Sequence, residues 1–314
     1  MEDQAEKLRE IMRQKSADTS AAGPNTGANP GQKNEKSPRA GDLLPKGGSK
    51  TRIITITSGK GGVGKTNVSV NMALAYARLG KRVVVMDADL GLANVNIMLN
   101  MVPRYTLYDM LRKKKTMKEI MVETEYGISI VAGASGFSKV ANLSDEERQN
   151  FIQELSTLSF ADIIIIDTSA GVSSNVLDFI AAADDAIIIT TPEPTAITDA
   201  YGIIKIIATE YDNLDMNLKL VVNRVKGAAE ARKVADRMTN IAGQFLNLKV
   251  DYLGYIEDDP TVSQAVLKQK PFMVIEPRCK ASNCVQHIVG RLEKSELRET
   301  GGFGSMLKRL FRKS

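Results

Sequence analysis

From residue 51 onward, this chain alternates between short apolar runs and stretches of helical periodicity. The strand-like runs are Ile53–Thr57, Arg82–Asp87, Ile128–Val131, Asp162–Asp167, Ala186–Thr191, Leu218–Asn223 and Val250–Ile256. Several are apolar at every position, as in parallel strands covered on both faces. After the first run, Val68, Met72, Leu74, Ala75 and Leu79 follow a helical pattern. Ser144-Asp145-Glu146-Glu147 is a capping box that opens a helix through Leu158. Further helices are expected over 173–182, 196–211, 228–244 and 282–297. Strands separated by helices predict βαβ units and an α/β fold with a doubly wound, mostly parallel sheet. Ligands in such sheets bind at the carboxyl ends of the strands.

The two ends of the chain do not follow this pattern. Residues 1–13 (MEDQAEKLREIMR) place Ala5, Leu8, Ile11 and Met12 on one short helical stripe. Residues 14–50 lose almost all large apolar side chains, so they cannot bury enough to offset their ordering entropy and read as a flexible linker. The arrangement suggests a peptide on a tether, with a frayed end of chance periodicity as the plain alternative. At the other end Phe303, Met306, Leu307, Leu310 and Phe311 form a complete apolar stripe, flanked by Lys308, Arg309, Arg312 and Lys313. Gly301-Gly302 sets this stretch off from the body. So short a helix needs a surface to fold on. A basic amphipathic helix with exposed Phe fits an anionic membrane interface. A helix docked on the protein's own core, or a disordered basic end, is the alternative. One such anchor binds weakly, and pairing two copies would strengthen it.

Composition narrows the function classes. Hydrophobic residues make up 43% and charged residues 25%, the proportions of a globular protein. No apolar run reaches the length of a spanning helix, and the N-terminus lacks the apolar core of a secretion signal. Two cysteines fit a reducing compartment, so a cytosolic protein is expected. The net charge of +5 sits at the ends. Residues 1–50 carry nine basic and seven acidic side chains, and residues 301–314 carry four basic and none acidic, which leaves the body at −1. A near-neutral body argues against a broad DNA-coating surface. Arg112-Lys113-Lys114-Lys115 reads first as a solvated face and second as a contact for an acidic partner. His287, Cys279 and Cys284 lack the spacing and the fourth ligand of a metal site and read as core or surface residues.

The richest chemistry lies between the first strand and the first helix, at Gly59-Lys60-Gly61-Gly62-Val63-Gly64-Lys65-Thr66-Asn67. A strand, a glycine-rich loop ending in Gly-Lys-Thr, and a helix make a P-loop. Backbone N–H groups turn around phosphate oxygens, and the helix N-terminus adds partial positive charge. Lys65 would reach the β/γ-phosphates and the Thr66 hydroxyl would ligate Mg²⁺. Three further motifs end strands: Asp87-Ala88-Asp89 with Leu90-Gly91-Leu92-Ala93-Asn94, Ile163–Asp167 with Thr168-Ser169-Ala170-Gly171, and Asn223-Arg224. Thr191-Pro192-Glu193-Pro194-Thr195 joins the Ala186–Thr191 run to the next helix.

Lys60, the Asp87/Asp89 pair, Asp167, Asn223-Arg224 and the tail together resemble the deviant Walker A ATPases of the MinD/ParA family, a P-loop NTPase fold of the MinD/SIMIBI type. The resemblance covers residues 51–314 and implies ATP and Mg²⁺. It also implies a homodimer sandwiching two nucleotides, with Lys60 of each subunit reaching the partner's phosphates. Asp89 would orient the attacking water. Asp87 and Asp167 would serve the metal, and the Gly171 backbone would sense the γ-phosphate. Asn223 and Arg224 would read adenine, and no guanine motif is present. Ser169 stands where the family has proline, which should loosen that loop. The implied domains are a partner-activating peptide (1–13), a linker (14–50), the ATPase domain (51–298) and a membrane-targeting helix (299–314).

Asp3-Gln4-Ala5-Glu6-Lys7-Leu8-Arg9 is similar to the N-terminal element of the FlhG (FleN) branch, which regulates flagellar number. Gly133-Ala134-Ser135-Gly136 and Ala141-Asn142-Leu143-Ser144 also fit that branch. The likeness implies that Gln4 activates a partner GTPase of the FlhF type. It further implies contact with flagellar C-ring proteins and a cytoplasmic protein that visits the inner face of the membrane when ATP-bound. A MinD-type division-site or cargo-positioning ATPase would need neither Gln4 nor the linker. A ParA-type DNA partition ATPase would need a basic dimer surface. An iron–sulfur carrier would need paired cysteines, and a tyrosine kinase of this fold a C-terminal tyrosine cluster; neither is present.

Overall fold

The computed structural model describes residues 51–89, 94–133, 145–210 and 217–294, with backbone alone for residues 145–148. The chain divides into two units at Pro38/Arg39. The first unit lies wholly outside the described residues. Gln4, the linker, residues 90–93, 134–136 and 141–144 and the apolar stripe of the tail lie outside them as well.

The second unit is built on an eight-stranded sheet. Its strands are β1 (Arg52–Ser58), β2 (Val83–Ala88), β3 (Met121–Glu123), β4 (Ser129–Val131), β5 (Ile163–Ala170), β6 (Asp185–Thr190), β7 (Asn217–Val225) and β8 (Asp251–Glu257). They lie in the order β3-β4-β2-β5-β1-β6-β7-β8, and every pairing is parallel except β3 with β4. All seven strand-like runs of the sequence are strands. β3 has no counterpart among those runs, because three residues are too few to show a period.

The helices are α1 (Lys65–Arg78), α2 (Val95–Met98), α3 (Leu107–Leu111), α4 (Met117–Ile120), α5 (Asp145–Ser156), α6 (Ser174–Ala182), α7 (Pro194–Glu210), α8 (Ala228–Leu246), α9 (Pro260–Leu267), α10 (Phe272–Ile275) and α11 (Lys280–Lys294). A 3₁₀ turn (Thr157–Phe160) completes the stretch after α5. Of these, α2, α3, α4, α9 and α10 have no counterpart in the helical periodicity of the sequence.

Alternate side chains of the strands build separate cores. Ile54, Ile56, Val83, Val85 and Ile165 pack with α1, α10 and α11. Ile53, Val84, Met86, Ile164 and Ile166 face α3, α4 and α5 instead. Ile188, Leu220 and Val222 pack with α6, α7 and α8 in a third cluster. Full burial on both faces is the reason these strands read as unbroken apolar runs. Each such side chain contributes about 1.5–3 kcal/mol relative to exposure.

Polar contacts fasten the amino ends of the strands. Arg52, 4% exposed, donates from Nε to Asp185 Oδ2 (2.7 Å) and from Nη1 to the Leu292 carbonyl (2.9 Å). Lys219 Nζ lies 3.7 Å from Asp185 Oδ1. This buried group joins β1, β6, β7 and α11 at the end of the sheet away from the P-loop.

Candidate functional site

β1 is central, and the chain leaves it for β2 by crossing over β5. The strand order therefore reverses beside β1, where open α/β sheets bind their ligands. The loop 59–64 occupies that point. Gly62 (φ 77°) and Gly64 (φ 100°) adopt the left-handed conformation. Gly64 immediately precedes α1, and a Cβ there would lie 2.5 Å from the Asn223 amide nitrogen. Gly59 packs against the backbone of Asp199 in α7. Above the loop lies a cleft of about 530 Å³, lined by Gly61, Gly62, Gly64, Lys65, Thr66 and Asn67 of the loop and α1. Asp89, Asn94, Ile97, Met98, Ala170, Arg224, Val266 and Gln269 complete it.

The two lysines of the loop have different surroundings. Lys65 is buried, and its Nζ donates to Ser58 Oγ at 2.9 Å. Burial pushes its pKa down, against the pull of Asp167 and Asp89. A desolvated ammonium beside an open cleft fits a phosphate. Lys60 is half-exposed and turns away to Glu193 Oε2 (2.8 Å) and Thr195 Oγ1 (2.9 Å), just beyond β6. Lys60 in turn holds the Glu193 carboxyl below its ordinary range.

Asp167 and Asp89 act on Lys65, and Asp87 stands beside Asp167. Asp167 and Asp87 stand side by side on β5 and β2, both buried. Asp167 Oδ1 accepts from Ser69 Oγ at 2.8 Å, and the carboxylate also accepts from the Thr66 side chain. Burial drives the Asp167 pKa up to about 6, even though these bonds and Lys65 pull it down. Asp87 rises to about 7 through burial and then through the nearby Asp167 charge. Its oxygens accept from the Asp89 and Val95 amides (3.0 and 3.1 Å), which fixes the start of α2. Asp89 itself reaches the cleft, and its Oδ2 accepts from Asn94 Nδ2 at 3.2 Å.

This crowding of acids beside a hydroxyl fits a divalent cation. Among the described residues, no group of three or more His, Cys, Asp or Glu could hold a metal alone. The donor set matches Mg²⁺, which takes few protein oxygens and completes its shell with phosphates and water. Cys279 and Cys284 are free and half-buried, and His287 is exposed.

Elsewhere the structure adds to the sequence reading. The Asn223 side chain supports the loop, with Nδ2 donating to the Val63 carbonyl (2.7 Å) and Oδ1 accepting from the Arg224 amide (2.9 Å). Arg224, at φ 57°, is left to line the cleft. The Gly171 amide donates to the Ser58 carbonyl at 2.9 Å. β5 continues through Ser169 to Ala170, so the segment without proline is paired strand here. Asn94, the last residue of the motif after Asp89, reaches the cleft, whereas Ser58, Ser69, Val266 and Gln269 carry no motif in the sequence. Asp259-Pro260 was the available signal for α9: Asp259 caps it by accepting from the Thr261 amide (2.8 Å), with Pro260 as its first residue.

The chain is also similar to known proteins. The CobQ/CobB/MinD/ParA nucleotide binding domain matches residues 54–272. Antiactivator FleN of Pseudomonas aeruginosa is 36% identical over 243 residues, covering 77% of this chain and 86% of its own. Flagellum site-determining protein YlxH of Helicobacter pylori is 36% identical over 271 residues, covering 83% and 90%. The Aquifex aeolicus MinC:MinD cell division protein complex contains a chain that superposes with a TM-score of 0.64 at 26% identity, covering 80% of this chain and all of that one.

Proposed function

The chain belongs to the CobQ/CobB/MinD/ParA family and is a MinD-like ATPase similar to FleN and YlxH, and from that premise we propose that it is a dimerising switch controlling flagellar number and placement. The observation that carries the dimer is the divergence of the two lysines. Lys65 is buried under its own cleft, whereas Lys60 leaves that cleft for the surface beside Glu193.

In this reading the loop amides and Lys65 bind the phosphates of ATP, and Arg224 stacks on the base. Thr66, backed by Asp87 and Asp167, would hold Mg²⁺, which supplies positive charge to the phosphates. Asp89 orients the attacking water and accepts its hydrogen bond. Lys60 leaves Glu193 and enters the partner's site, adding charge as an arginine finger does. Dimerisation joins two tails into one anchor on an anionic membrane. Gln4 acts on a GTPase of the FlhF class, and C-ring proteins are further partners.

The test combines three measurements on the full chain. ATP should convert monomer to dimer in light scattering, and Lys60→Ala should abolish that while sparing most nucleotide binding. Asp89→Ala should dimerise but lose most turnover. Gln4→Ala should fail to accelerate GTP hydrolysis by the partner GTPase. Normal ATP hydrolysis by Asp89→Ala would remove its assigned role. A fully active Gln4→Ala would remove the flagellar GTPase link.

A further inference from the structure

The run Arg112–Lys115 lies outside the nucleotide cleft, in the turn between α3 and α4, and carries more than charge. The Arg112 guanidinium sits 4.8 Å over the Tyr108 ring. Arg104 and Lys115 both approach the Tyr105 ring, at 5.3 and 4.4 Å from its centre. The acidic side chains of this stretch are already engaged. Asp109 closes the capping box with Thr106, and Glu119 holds Thr116 and Lys115. Arg104, Arg112, Lys114 and Lys118 remain exposed. Two residues before Arg104, Val102 is 97% exposed, the highest exposure among the large apolar side chains described.

We propose that this α3–α4 face is a second membrane contact, separate from the tail, that binds the headgroups of anionic lipids. It rests on the membrane-cycling reading above. Charge complementarity selects an anionic partner, and two features select a lipid surface. Nucleic acid held by aromatic residues needs ring faces for its bases to stack on. Here Tyr105 and Tyr108 carry the chain's own cations instead. An exposed valine gains nothing against phosphodiesters, whereas at a bilayer surface it can enter the headgroup layer beside interfacial tyrosines. Each cation near such a surface adds to binding within a Debye length.

The experiment is sedimentation of the full chain with ATP and vesicles, either phosphatidylcholine alone or with phosphatidylglycerol. The variants are Arg112→Gln/Lys114→Gln/Lys118→Gln, Val102→Asp, and Leu310→Glu in the tail. The triple variant should keep normal ATP hydrolysis and bind phosphatidylglycerol vesicles roughly tenfold to a hundredfold more weakly. Val102→Asp should weaken binding in the same direction. Leu310→Glu should retain residual binding that salt removes. A triple variant that binds these vesicles like the wild type overturns this inference alone. So does a triple variant whose affinity for duplex DNA or polyglutamate falls more than its affinity for vesicles. A wild type that never sediments with anionic vesicles overturns the membrane reading as well.

Discussion

At the scale of single residues, the site depends on groups behind those that face the ligand. Ser69 donates to Asp167, which stands behind Thr66. Ser69→Ala should therefore raise the Asp167 pKa further and increase the Mg²⁺ concentration needed for half-maximal ATPase activity by about threefold to tenfold, read from a magnesium titration. Gly64→Ala should do more, because the left-handed backbone costs a β-carbon about 1–2 kcal/mol and the new methyl displaces Asn223. Calorimetric titration should show nucleotide affinity falling at least tenfold.

A separate residue-scale prediction concerns pH. Three Arg82 donors hold the Asp162 carboxyl down at about 2, below its unfolded value. A depressed carboxylate contributes stability above its unfolded pKa and loses it as pH falls through the folded one. The gap in urea midpoint between wild type and Asp162→Asn should thus be present at pH 6 and close between about pH 4 and pH 2.

The phosphate loop was legible in the sequence because its glycines and lysines have no better use elsewhere. Asn223 was harder to read. Its position at a strand end marks it, but only the folded chain brings it to the Val63 carbonyl 160 residues away.

At the scale of elements, burial decided what could be read. β1, β5 and β6 are covered on both faces and appear as apolar runs, while β3 is a short antiparallel edge with half-exposed side chains. The short helices α2, α3, α4 and α10 span less than two turns and carry no full hydrophobic period. They are set by caps and by tertiary contacts such as the Asp87 carboxylate at α2. Where two covered faces meet, a single deletion should tell. Ile164→Ala, at 0% exposure between β1 and β2, should lower unfolding free energy by about 2–5 kcal/mol in urea titration.

At the scale of the whole molecule, the parallel sheet separates two jobs. Its carboxyl ends hold the nucleotide cleft, and its amino ends hold the buried Arg52–Asp185–Lys219 group. That group fixes the last turn of α11 through the Leu292 carbonyl, just before the chain runs on toward the tail. Asp185→Ala would strand two buried cations and should lower stability by about 3–5 kcal/mol, seen as an earlier urea midpoint.

The Lys60–Glu193 contact has a further consequence. Lys60 is already paired in the single chain, so assembly of the proposed dimer would exchange one ionic contact for another. Added salt weakens both sides of that exchange. The dimer should then tolerate salt better than simple charge attraction would allow, and Glu193→Gln should tighten it at low salt by leaving Lys60 uncommitted. In thermodynamic terms Glu193 would set a threshold on the proposed switch: nucleotide would have to supply enough binding free energy to draw the lysine across, and the resting pool of protein would stay apart until ATP is present.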